Sequence, residues 1–164
     1  MPDMTGSGID LNIIEKTQFY CTLNRQAKAL LEGESDVVAN LANLSALLGQ
    51  ELKEINWVGF YLLQGDTLVL GPFQGKPACV RIPVGRGVCG TAVAEGKTQL
   101  VDDVHQFDGH IACDSASNAE IVIPVRRGGE IIGVLDIDSP FFNRFDQQDR
   151  IGLEETVQIL ESML

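Results

Sequence analysis

A chain of 164 residues with 45% hydrophobic content can build one domain around a single sizeable core. Its formal charge of −11, from 23 acidic and 12 basic residues, argues against nucleic acid and anionic membrane partners, whose recognition needs clustered Lys and Arg. No apolar run approaches the roughly 18 to 20 residues of a membrane-spanning helix.

The opening Met1-Pro2-Asp3-Met4-Thr5-Gly6-Ser7-Gly8 has no basic or apolar region of a signal peptide, and residues 1–10 read as a flexible tail. Residues 11–164 show no internal repeat or linker and read as one domain. From Asn12 to Leu31, Ile14, Phe19, Leu23, Leu30 and Leu31 recur at helical spacing. Ser35-Asp36 opens a second helix carrying Val37, Val38, Leu41, Leu44, Leu47 and Leu48 on one face, with Gly49 placed to weaken or end it.

Strand signals follow. Trp57 to Leu63 and Thr67 to Leu70 flank a Gly65-Asp66 turn. Short strands are expected around Cys79 to Ile82 and Gln99 to Val101, with about two helical turns over Thr91 to Glu95. Asp102 to Asn118 is polar and aperiodic, a loop of a length often tied to function. Strands over Glu120 to Arg126 and Glu130 to Asp138 join through Gly128-Gly129. Asp146 and Asp149 then open a last helix with Leu153, Val157, Leu160 and Leu164. The sum is an α+β fold, an antiparallel sheet with helices on one face and a loop-covered pocket on the other.

Strand alternation says what faces that pocket. Ile131, Gly133, Leu135 and Ile137 share one face, while Ile132, Val134, Asp136 and Asp138 share the other. Glu120, Val122 and Pro124 lie opposite Ile121, Ile123 and Val125, and Trp57, Gly59 and Tyr61 lie opposite Val58, Phe60 and Leu62. The consistent arrangement puts Glu120, Asp136, Asp138, Trp57 and Tyr61 around one cavity. Carboxylates crowded there cannot all ionise, so at least one pKa should be raised; such a site could bind an ammonium group, or supply a proton from a neutral acid. The bland alternative is that Asp136 and Asp138 merely cap a turn before Pro140.

Four cysteines and no secretory signal suit a reducing cytoplasm, where thiols stay free unless they work. Cys21, on the first helix, reads as inert packing. Cys113 sits in the polar stretch Gly109-His110-Ile111-Ala112-Cys113-Asp114, where burial would gain it little, so thiol redox chemistry centres on it with Cys79 and Cys89 as partners. Gly85-Arg86-Gly87-Val88-Cys89-Gly90 matches GxGxxG, but no strand-helix-strand unit surrounds it, and it reads as a flexible turn bringing Cys89 to the pocket. Cys79, Cys89, His105, His110 and Cys113 lack the paired spacing of a zinc site, so no metal is expected, and the histidines read as loop organisers. Ser115 and Ser117 near His110 and Asp114 show no nucleophile elbow.

Several stretches carry a resemblance. They are Asn56-Trp57-Val58-Gly59-Phe60-Tyr61, Leu70-Gly71-Pro72-Phe73-Gln74-Gly75-Lys76, Ile82 to Gly90, Asp108 to Asp114, and Gly133-Val134-Leu135-Asp136-Ile137-Asp138-Ser139. On these the chain, from about Phe19 to Leu160, resembles the free methionine-(R)-sulfoxide reductase family of GAF domains. The resemblance implies a GAF fold with a six-stranded antiparallel sheet and reduction of free methionine sulfoxide. It implies Cys113 as nucleophile, Cys79 as main resolving cysteine and Cys89 as accessory thiol. It also implies Glu120, Asp136 and Asp138 as polar substrate contacts, Trp57 against the substrate methyl group, and recycling by thioredoxin. Glu120 or Asp138 would be the proton donor. No cofactor is implied, and a homodimer stays open. The alternative is a non-catalytic GAF sensor of a small ligand or of redox state, since one fold hosts many functions.

Overall fold

The computed structural model describes residues 2–110 and 116–164, with side chains described from Asn12 onward. Helix α1 spans Pro2–Leu31, α2 Val37–Glu51, β1 Trp57–Gln64, β2 Thr67–Gly75 and β3 Arg81–Pro83. Then come α3 Gly87–Glu95, β4 Gln99–Val101, a 3-10 turn Val104–Gln106, β5 Ala119–Arg127, β6 Glu130–Ser139 and α4 Gln147–Glu161. The helix assignment of α1 reaches back to Pro2, through the segment 1–10 where the sequence suggests a flexible tail; proline is well tolerated at a first helical position.

The six strands form one sheet in the order β3-β2-β1-β6-β5-β4, antiparallel at every pairing. Two-residue turns make the hairpins. Gly65-Asp66 joins β1 to β2, and Gly128 and Gly129, with φ of +60° and +82°, join β5 to β6. Two successive positive φ values give a turn whose twist matches the strands, a conformation glycine adopts without steric cost. The β5–β6 ladder slips once, because Arg126 pairs with Ile131 and Val125 with Gly133, leaving Ile132 as the extra residue. Ile132 consequently packs with the helix-side core instead of on the pocket face that simple alternation assigns it.

Helices α1, α2 and α4 bury Leu23, Ala27, Leu31, Leu41, Leu44, Leu48, Leu153, Val157 and Leu160 against Val58, Phe60, Ile121, Ile123, Leu135 and Ile137. The spacing of three and four along each helix produces that apolar stripe. Asp36 caps α2 by accepting from the Ala39 amide at 2.8 Å, and Asp146 with Asp149 forms a capping box on α4. Helix α2 continues past Gly49 to Glu51 because tertiary packing outweighs the helix cost of one glycine. Asp149 is buried but well served, accepting from the Tyr20 hydroxyl at 2.7 Å and from Lys16 Nζ at 2.8 Å. Among the described residues no helix is long and apolar enough to cross a membrane.

The opposite face of the sheet carries a second cluster. It contains Trp57, Tyr61, Leu68, Val122 and Val134 from the strands, with Ile82, Val88, Cys89, Ala92, Val101 and Val104 covering them. The covering layer is α3 and the long β4–β5 connection, and a pocket opens beneath it.

Candidate active site

The pocket is lined by Trp57, Tyr61, Ile82, Cys89, Glu120, Asp136 and Asp138, with Lys76, Pro77, Ala78, Gly87, His110 and Ser117 at its remaining walls. Strand register assembles it. Trp57 and Glu120 both lie directly opposite Asp138, and Gly59 and Val122 both lie opposite Asp136, so three carboxylates from two neighbouring strands share one face. The parity expected for Trp57, Tyr61, Glu120, Asp136 and Asp138 is the parity found.

The aromatic wall is rigid. Trp57 stacks with Tyr61, at 5.9 Å between ring centroids, and with Phe73, at 5.1 Å. Its indole Nε1 donates to the Lys76 carbonyl at 3.1 Å, and the Tyr61 hydroxyl donates to the Cys79 carbonyl at 2.9 Å. Both polar handles are therefore engaged by backbone, leaving ring faces toward the cavity. Burial, and then Asp136, push the Tyr61 phenol above its ordinary range, which keeps it a neutral donor.

The acidic wall is buried. Glu120 is 7% exposed and Asp136 5%. Burial holds the Glu120 carboxyl well above the ordinary carboxylate range, and the neighbouring Asp136 and Asp138 reinforce the shift. Asp136 is raised too, chiefly by burial, although hydrogen bonds from Glu120 and Cys89 partly offset it. Burial and the neighbouring acids thus favour the neutral form of Glu120 relative to an exposed carboxyl. Cys89 Sγ lies 4.0 Å from Glu120 Oε2, and burial beside these acids pushes its thiol well above the ordinary range.

Cys89 reaches the pocket by a route the sequence reading misplaced. The glycine-rich segment does not form a free turn, because α3 already begins at Gly87 and Cys89 sits in its first turn. Gly90 makes that entry possible. A Cβ there would lie 2.5 Å from the Pro83 carbonyl oxygen, so only glycine lets α3 start so close to β3. Cys79 lies just before β3, in the connection and not in the strand expected over Cys79 to Ile82. It packs against the pocket-side cluster and is disulfide-bonded, whereas Cys21 and Cys89 are free thiols. Cys113, with Asp114 and Ser115, lies outside the described residues.

The connection over the pocket is tied down at both ends. The Gly87 amide donates to the Gly109 carbonyl at 3.1 Å, and the Asn118 amide donates to the Ser139 carbonyl at 2.8 Å. Asn118 Nδ2 donates to the Pro140 carbonyl at 2.7 Å, so its Oδ1 is the acceptor for His105 Nε2 at 2.9 Å. His105 is the loop organiser the sequence suggests. His110 instead lines the pocket, edge-on to His105 at 6.5 Å, and burial lowers its pKa.

The GAF domain family matches residues 35–164 of this chain. A free methionine-R-sulfoxide reductase of Escherichia coli (strain K12) is 62% identical over 151 residues, covering 92% of this chain and 92% of that protein. The chain belongs to the free methionine-R-sulfoxide reductase family of GAF domains. Among solved structures, the fRMsr of Staphylococcus aureus in complex with substrate matches with a TM-score of 0.86 at 57% identity, covering 88% of this chain and 95% of that one. The free methionine-R-sulfoxide reductase from Neisseria meningitidis, in complex with its substrate, matches at 0.87 and 47% identity, covering 90% and 89%. Membership of this reductase family agrees with the six-stranded antiparallel sheet, and it leaves the dinucleotide reading of the glycine motif without support, since no parallel strand pair exists among the described residues.

Sequence reasoning did not single out Lys76, Pro77, Ala78 or Ser117 as walls of the reductase-family pocket. Lys76 ends a stretch quoted for the resemblance, which was the one available signal. Ser117 is held by the Asn56 side-chain amide at 3.1 Å, a contact across 61 residues of sequence that no local pattern announces.

Proposed function

We propose that this protein reduces free methionine (R)-sulfoxide to methionine through thiol chemistry at Cys113, with Cys79 resolving and thioredoxin recycling. The observation that carries the reading is the Glu120–Asp136–Asp138 group, its first two members buried, which shares one pocket with Trp57. The names of the close relatives supply the substrate class.

Each part of that substrate has a complementary wall. Asp136 and Asp138 offer negative charge to the ammonium group, and the first turn of α3, where Cys89 meets the cavity, offers backbone amides to the carboxylate beyond the Gly87 amide already given to Gly109. The methyl group fits the apolar face of Trp57. A site that takes both the ammonium and the carboxylate of one amino acid has no place for peptide bonds on either side, which gives a physical reason for selecting the free form.

The Cys113 thiolate attacks the sulfoxide sulfur while Glu120 protonates the oxygen. Methionine leaves and the hydroxyl passes to Cys113 as a sulfenic acid, so the substrate sulfur gains two electrons and Cys113 loses two. The Cys79 thiol condenses with that sulfenic acid, giving a disulfide and water. Thioredoxin's dithiol then reduces the disulfide by exchange. The raised pKa of Glu120 supports it over Asp138 as the acid. The disulfide-bonded state of Cys79 supports its role as resolving partner, and the buried, hard-to-ionise thiol of Cys89 supports an accessory one. A reducing cytoplasm, which supplies thioredoxin, is the compartment that fits.

NADPH oxidation coupled through thioredoxin reductase and thioredoxin tests the whole cycle. Turnover is expected with free methionine (R)-sulfoxide and not with a peptide-bound sulfoxide. No turnover of the free substrate would return the chain to a sensor of small ligands or redox state.

A further inference from the structure

Cys89, Glu120 and Asp136 each offer one possible ligand atom, and those atoms lie within 4.8 Å of one another. All three residues are buried, at 3%, 7% and 5% exposure. Asp136 Oδ1 is buried yet has no hydrogen-bond partner, so the group already contains an unsatisfied acceptor. One sulfur and carboxylate oxygens make a donor set suited to a borderline-soft divalent cation of the zinc class, with bonds of about 2.3 Å to sulfur and about 2.0–2.2 Å to oxygen. Small side-chain rotations would close the present separations to the edges of a tetrahedron. The fourth position would open on the cavity, where His110 and Ser117 stand. This set shares only Cys89 with the Cys79, Cys89, His105, His110 and Cys113 grouping considered from sequence, and it is made by register and by α3, not by spacing.

We propose that Cys89, Glu120 and Asp136 form a three-ligand site for a zinc-class divalent cation, whose occupancy shuts the sulfoxide substrate out of the pocket. The cation takes no part in the reaction. It competes, because it would occupy the acidic wall that holds the substrate ammonium group and would engage the proton-donating carboxyl. The competition rests on the function proposed above; the cation site itself does not. Binding displaces protons from the ligands, so affinity should fall as pH is lowered.

Cobalt(II) serves as the spectroscopic probe, on the full chain carrying Cys21→Ser to remove the exposed thiol and kept under non-reducing conditions. One equivalent of cobalt should produce a near-ultraviolet thiolate-to-cobalt charge-transfer band. Cys89→Ala should abolish that band, and the near-isosteric Glu120→Gln and Asp136→Asn should each weaken binding by about tenfold or more. Thermal unfolding of each variant establishes that it is folded. Added free methionine sulfoxide should raise the apparent cobalt Kd in proportion to its concentration. Absence of the band in folded protein at millimolar cobalt, its survival in Cys89→Ala, or indifference to both carboxylate variants would overturn the site. Cobalt binding unaffected by sulfoxide would overturn the competition. Metal-free protein that turns over no sulfoxide yet binds one cobalt would instead sink the reductase reading and leave the cation site standing.

Discussion

The two faces of the central sheet are built by the same strands and do opposite things. On the helix side, Val58, Phe60, Ile121, Ile123, Leu135 and Ile137 belong to the apolar core built with α1, α2 and α4. On the pocket side their immediate neighbours Trp57, Tyr61, Glu120, Asp136 and Asp138 meet a thiol, a small cavity and one another. The first face stabilises the domain by removing apolar area from water. The second spends part of that stability on buried acids that would be cheaper elsewhere. Period-two alternation lets one stretch of chain hold the rigid support and the reactive lining at adjacent positions.

That contrast can be broken residue by residue. Cys113→Ser should abolish methionine formation even in a single turnover, read by amino-acid analysis of the quenched reaction. Glu120→Gln should lower kcat/KM by about 10²–10⁴ and change stability in the other direction. The native carboxyl keeps its proton above the pH at which the unfolded one loses it, so the native state binds more protons across that window and wild-type stability falls as pH rises through it. The glutamine variant lacks this loss, and its melting temperature should decline less between about pH 5 and pH 9. On the other face, Phe60→Ala should cost about 3–5 kcal/mol in denaturant unfolding, since the ring is 1% exposed. Its KM, measured well below the transition, should stay near wild type. Cys79→Ser should do least to the chemistry, leaving the first turnover intact and slowing only thioredoxin-driven recycling. Equal behaviour of Cys79→Ser and Cys113→Ser in a single turnover would dissolve the division of roles.

Much of this was legible in the sequence because strand parity is local. Leu135 next to Asp136, and Ile121 next to Glu120, announce two faces before any partner strand is known. The helix starts at Asp36 and Asp146 were legible for the same reason, since capping depends on residues three apart. What was hidden is what distance in sequence hides. The start of α3 at Gly87 went unread because glycines argue against helix, and their reason, the approach of Gly90 to the Pro83 carbonyl, exists only after folding. Lys76, Pro77 and Ala78 line the cavity because Trp57 and Tyr61 anchor that connection through backbone carbonyls, a tertiary arrangement without a sequence pattern. Ile132 went to the wrong face because alternation assumes an unbroken ladder.

The slip at Ile132 sets the phase of everything beyond it. An alternating pattern changes sign when one residue is added, so the hairpin counts in one register near Gly128-Gly129 and in the opposite one at the pocket. Pair Ile132 with Val125 in an unbroken ladder and Glu120 would stand across from Ile137, with Asp136 and Asp138 turned toward the leucines of the helices. Deleting Ile132 would instead make the ladder regular and leave Glu120 across from Asp138, so both faces should survive that deletion. The acidity of the pocket is thus decided at the far end of the hairpin, by leaving an isoleucine absent from the cavity lining out of the pairing.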